Sequence, residues 1–225
     1  MNHPSELVRA ISLTIVISTV SCLPNVYSNS TSQLYTYFMK LDADVAVWGQ
    51  TEFLIYTVYD IILLSIFTEA LFHGSIFAAL RQFGDYFAIA VTSVLSGLIV
   101  QDFSEMPFVI VVSAIAGAGM LRSGSIYTAF FVRIVYKIYR LAIVIIETTV
   151  EADLYLERNA FMFFTLATSG VALFILHFLQ EPREYYAEYK SEVSPSKRAF
   201  FLIKSYPLPV VVCICLLSAA LKIIF

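Results

Sequence analysis

Apolar runs long enough to approach or cross a bilayer recur from one end of this 225-residue chain to the other. A hydrocarbon core of about 30 Å needs about 20 apolar residues per helix, and a backbone in lipid must satisfy its own polar groups, which a helix does. Residues 9–24, 52–72, 86–100, 107–121, 125–146, 159–179 and 206–225 read as about seven transmembrane helices. The chain is 59% hydrophobic and 14% charged, with a mean hydropathy of +0.80, values a soluble domain does not tolerate. An all-α, polytopic, single integral membrane domain over 1–225 is predicted, with no room for a sizeable soluble domain. The third and fourth runs, at about 15 residues, would reach only about 22 Å and are expected to extend into their flanks or tilt little.

Several function classes drop out. Cys22, Cys213 and Cys215 lie in or beside apolar segments without metal-type spacing, so neither a disulfide framework nor a zinc site is expected. No HExxH set occurs, and the FGD at Phe83 to Asp85 is too short to signal an aspartyl protease. No metal and no cofactor is expected. A net charge of -3 and the lack of a basic stripe interleaved with aromatics leave no nucleic-acid partner. The lipid bilayer is the partner that composition itself names.

The long hydrophilic insert at about 180–205, QEPREYYAEYKSEVSPSKR and its continuation, holds Arg183, Lys190, Lys197, Arg198 and Lys204. The positive-inside rule makes it cytoplasmic, and alternation then brings Arg122, Arg81 and Arg9 to the same side. The other side receives Lys40 and Arg158 among Asp42, Asp44, Asp102, Glu105, Glu151, Asp153 and Glu157. The expected orientation is N-terminus in the cytoplasm and C-terminus outside. A competing reading takes residues 1–22 as a lipoprotein signal ending in TVSC, although Thr19 fits poorly three residues before the cysteine. An Asn29-Ser30-Thr31 sequon falls in a loop expected outside.

Charges inside the spans are costly and tend to face the protein interior with a partner. Glu69 is expected at the cytoplasmic end of the second span, about 6 Å deep. In the fifth, Arg133, Lys137 and Arg140 recur at spacings of four and three and form one helical stripe. That stripe must meet a polar cavity, headgroups or acidic side chains. Glu69, Asp60 and Glu147 are the candidate counter-ions. Arg133, about 13 Å deep, can reach Glu69 by snorkelling, while Asp60 and Lys137 share a depth of about 19 Å. Asp60 and Glu69, nine residues apart on a straight helix, should point to opposite faces, so only one would look at the fifth span. A competing reading makes these charges structural pairs, or the fifth segment an interfacial amphipathic helix.

The segments TEALFHGSI, YFAIAVTSVLSGLIVQDFSEMPF and GAGMLRSGSIYTAFFVRIVYKI, read in order, resemble the core of the type II CAAX prenyl endopeptidase and bacteriocin-processing (CPBP, Abi) family of intramembrane proteases. The likeness covers about residues 68–138, within a protease-like core of about 52–146. It implies a glutamate that activates water, with histidine and asparagine polarising the carbonyl, drawn from EExxxR, FxxxH and HxxxN motifs. Here Thr68 takes the first glutamate position, Glu69 the second and His73 the arginine position. Ser96 and Val100 replace the phenylalanine and histidine of the second motif. Arg133 and Lys137 replace the histidine and asparagine of the third.

A valine moves no proton, and a threonine is no general base on its own. The expectation is a catalytically degenerate member whose vestigial site comprises Thr68, Glu69, His73, Ser96, Val100, Arg133 and Lys137, around a cavity open to the cytoplasm. Ser93, Gly97, Gly117 and Gly119 would allow close helix approach. Such a pseudoprotease would act by binding a membrane protein or peptide, and the family implies a bacterial plasma membrane. The alternative is an active endopeptidase using Glu69 and His73, one turn apart. A transporter or channel ranks below both, for want of inverted repeats or broken helices.

Overall fold

The computed structural model describes residues 4–27, 50–100, 105–149 and 154–179, together with 189, 191, 193–204, 209–210 and 212–217 near the C-terminus. Among the described residues every regular element is helical. Helix α1 is Pro4–Tyr27. A continuous helical run, α2, begins at Gln50–Val58, passes through a π-helical turn at Tyr59–Leu64, an α-helical turn at Ser65–Glu69 and a second π-helical stretch at Ala70–Ile76. It ends in Phe77–Leu80 and a 3-10 turn, Arg81–Phe83. Then follow α3 (Asp85–Val100), α4 (Met106–Ser123), α5 (Tyr127–Thr149), α6 (Leu154–Leu179) and α7 (Pro195–Lys204).

Four helical segments, Ser5–Cys22, Leu54–Phe83, Met106–Ser123 and Glu157–His177, are long and apolar enough to cross a membrane, and Asp85–Val100 is apolar but shorter. The chain is an integral membrane protein. Helix α5 has the length of a span, and its stripe of cations sets it apart from the apolar ones. The sequon, residues 28–49 and 180–188 and much of 206–225 lie outside the described residues.

Two tight turns need glycine. Gly84, with φ of 113°, closes α2 onto α3, and Gly124, with φ of 67°, ends α4. Their N–H groups donate to the carbonyls of Arg81 and Met120, each at 2.9 Å. Helix α4 lies among α1, α3 and α5, α2 packs along α3 and α5, and α6 rests on α1 and α5. Ala10, Val109, Val112, Ala116, Ala129, Val132 and Tyr136 form the central core. Cys22, wholly buried with Tyr139, Ile143 and Met162, joins α1 to α5 and α6.

Small residues set how closely these helices approach. A methyl at Gly97 would lie 3.1 Å from the Met106 carbonyl oxygen and inside the Ile110 side chain; one at Gly119 would lie 3.1 Å from the Ala10 methyl. Gly97→Val should therefore overpack the α3–α4 contact by about 1–3 kcal/mol and lower the thermal midpoint in detergent. Gly170→Ala is the control: no atom lies within 4 Å of its added methyl, so the midpoint should not fall.

The structure corrects two expectations about α2. The helix does not stop near His73 but runs to Phe83, so Glu69 sits near the middle of the apolar segment Leu54–Phe83 and not at its cytoplasmic end. Nor do Asp60 and Glu69 face opposite ways. A π turn holds about one residue more than an α turn, so the nine-residue separation acts like about eight and falls near 80° instead of 180°. Both carboxylates consequently face α5.

The basic residues gather at one end of the bundle. Phe83 and Leu80 pack with Met120 and Leu121, which sets the end of α2 beside the end of α4. The Gly119–Ala10 approach brings the start of α1 there as well. Tyr189 hydrogen-bonds Asp85 at the same turn. Arg9, Arg81, Arg122 and Arg198 thus share one end.

Candidate functional site

The stripe on α5 meets an acid at every step. Arg133 donates from Nε to Glu69 Oε1 at 2.7 Å and from Nη2 to Ser96 Oγ at 2.6 Å, tying α5 to α2 and α3. One turn along, Lys137 Nζ donates to Asp60 Oδ1 and to the Asp60 carbonyl, both at 2.8 Å. A further turn on, Arg140 pairs with Glu105, which also accepts from the Tyr136 hydroxyl at 3.3 Å. Three cations at helical spacing therefore bind three acids on separate turns, and none has to face lipid.

The innermost pair is the most shielded. Glu69 is 1% exposed, His73 2%, Ser96 2% and Arg133 6%, whereas the Lys137 and Asp60 side chains keep 23% and 24%. His73 Nδ1 lies 2.5 Å from Glu69 Oε2, and Nε2 lies 3.1 Å from the Ser113 carbonyl oxygen. A carbonyl only accepts, so Nε2 carries a proton and donates. One more proton bridges Nδ1 and Oε2, and each Glu69 oxygen then has a donor. Gly117 permits this packing, since a methyl there would stand 3.2 Å from His73 Nε2.

Glu69, His73, Ser96 and Arg133 are thus brought into one hydrogen-bonded cluster, and Lys137 stands one turn away on its own acid. Thr68 and Val100 are not part of it. The Thr68 hydroxyl donates to the Leu64 carbonyl of its own helix, and Val100 packs beside the central apolar core. The expected cavity open to the cytoplasm is also corrected, because the cluster is closed over by helices at mid-length of α2. The hydroxyls of Ser65, Ser93 and Ser113, also buried, have no protein partner among the described residues. The Glu147 side chain lies outside the described residues.

Two participants escape a reading of the sequence. Glu105 sits in the short connection before α4, and a third cation at helical spacing was the one signal that a third acid would be needed. The Ser113 carbonyl, a backbone group, leaves no mark in sequence.

The family model described as type II CAAX prenyl endopeptidase Rce1-like matches residues 50–139. Residues 50–139 are thus similar to that family. The match runs from the start of α2 into α5 and includes every member of the buried cluster. No curated protein and no solved structure matches the chain. Within the matched residues, the positions at which the resemblance puts the first glutamate, two histidines and an asparagine hold Thr68, Val100, Arg133 and Lys137.

Proposed function

We propose that this protein is a catalytically degenerate member of the CAAX and bacteriocin-processing family, a pseudoprotease of about seven spans that acts by binding a membrane protein or peptide. The observation that carries the reading is the occupancy of Glu69. A general base must hold a water within about 2.6–3.2 Å. Here one carboxylate oxygen accepts from Arg133 and the other shares a proton with His73, at 1% exposure. The carboxylate acts as a counter-ion that locks α2, α3 and α5 in register, and the bound partner meets the outer faces of these helices. The gathering of Arg9, Arg81, Arg122 and Arg198 at one end supports a cytoplasmic N-terminus and an external C-terminus, and the likeness to the family suggests a bacterial plasma membrane.

A second reading rests on the Glu69–His73 hydrogen bond, which is also what a rebuilt acid–base dyad would contain. Purified protein in nanodiscs, incubated with a farnesylated CAAX peptide or a double-glycine leader peptide and followed by mass spectrometry, separates the two. No cleavage is expected from the wild type or from Glu69→Ala. Turnover by the wild type that Glu69→Ala abolishes would make Glu69 the base and overturn the pseudoprotease reading.

A further inference from the structure

The chain after residue 188 returns to the bundle as a strap. Tyr189 donates its N–H to Asp85 Oδ2 at 3.0 Å, and its carbonyl accepts from the Asp85 N–H at 3.2 Å. Arg198 donates from Nε to the Val193 carbonyl at 2.5 Å and from Nη2 to the Ser191 carbonyl at 2.8 Å, closing the strap on itself. Its guanidinium rests against Gly84, where a methyl would come within 3.2 Å of Nη1. Helix α7 begins inside this strap, so its first turn is fixed beside the α2–α3 turn, at the basic end.

Residues 209–210 and 212–217 are helical, with Val210, Ile214 and Leu217 exposed by 55%, 59% and 64%. Residues 205–208 separate α7 from this second helical stretch, so the two ends lie at most about 18 Å apart. Through its first turn α7 is held beside Gly84, where the apolar segment Leu54–Phe83 ends. One face of it, at spacings of three, one and three, carries Lys197, Phe200, Phe201 and Lys204, all exposed. Lys204 Nζ stands 5.9 Å from the Phe200 ring centre, its stem lying along the aromatic surface.

We propose that α7 is an anionic-lipid-binding helix lying in the headgroup plane, with Phe200 and Phe201 inserted at the acyl boundary and Lys197 and Lys204 on lipid phosphates. Two exposed phenylalanines flanked by lysines suit neither water nor a dry core, whereas the interface takes both. Arg9, Arg81 and Arg122, at the same end, extend the field that favours an anionic leaflet. The strap at Asp85 and Gly84 couples lipid binding to the α2–α3 turn. This inference is independent of whether the Glu69 cluster is catalytic.

The test uses the full chain with its single tryptophan removed, Trp48→Phe, and Phe201→Trp as reporter. The protein is reconstituted in phosphatidylcholine vesicles with and without phosphatidylglycerol. Blue-shifted emission, quenched by lipid brominated high on its acyl chains, is expected, and stronger in the anionic vesicles by at least about twofold. Lys197→Gln with Lys204→Gln, both at exposed positions, should return quenching to the zwitterionic value without changing elution of the protein. Emission typical of water and quenched by acrylamide in both vesicles would overturn the inference. So would bromolipid quenching indifferent to phosphatidylglycerol and to the two lysines.

Discussion

Glu69→Gln and Arg133→Met are each expected to lower the thermal midpoint in detergent by roughly 10 °C, the size expected when one partner of a buried ion pair is removed at a cost of about 3–5 kcal/mol. The two losses differ in kind. Arg133→Met leaves Glu69 with only the His73 bond, and leaves the Ser96 hydroxyl without its guanidinium donor. Glu69→Gln leaves the Arg133 guanidinium against a neutral amide with 6% exposure, far from the solvation a cation requires. Lys137→Met should cost much less, about 1 kcal/mol, because its pair with Asp60 keeps about a quarter of its surface. Differential scanning fluorimetry on the three variants gives the ranking. Equal effects from Arg133→Met and Lys137→Met would remove the distinction between the buried and half-exposed rungs of the stripe.

The second large effect is expected at Asp85, a carboxylate with 2% exposure that accepts from Arg81 Nε at 2.7 Å and from the Tyr189 N–H at 3.0 Å. A hydrogen bond to a charged group contributes about 1.5–3 kcal/mol. Asp85→Asn keeps the shape but loses the charge, so the strap should open at least about tenfold more often. Proteolysis follows the open population when opening is fast relative to cleavage. Limited trypsin treatment of reconstituted protein should then cut after Lys197 or Arg198 about tenfold faster in Asp85→Asn, with the helical bundle otherwise intact by circular dichroism. An unchanged rate would mean that Asp85 does not hold the strap.

Much of this arrangement can be read from residue spacing, and the failures have physical causes. Cations at 133, 137 and 140 in an apolar helix fix a one-sided stripe whatever surrounds it, because no alternative face can take them. Depth likewise pairs Asp60 with Lys137, and the reach of arginine pairs Arg133 with Glu69. The two π-helical stretches of α2 carry no sequence mark, yet they decide that both acids face α5. The end of α2 is hidden for a similar reason. The helix continues past His73 and turns only at Gly84, where the backbone takes a positive φ. Thr68 and Val100 belong to the site by motif position alone. A motif fixes which residues align, not which side chains meet once the helix winding has changed.

The central claim is that Glu69 serves as the counter-ion of Arg133, and the double substitution Glu69→Gln with Arg133→Met measures it most directly. With both charges gone, the cluster keeps a neutral amide beside His73 and an apolar side chain beside Ser96, so no unpaired charge remains buried. The double variant should recover a large part of the loss, with a coupling of about 2–3 kcal/mol between the two sites. Thermal midpoints of wild type, both single variants and the double, measured in one detergent, give that coupling. Purely additive losses would contradict the account and show that the two side chains do not depend on one another.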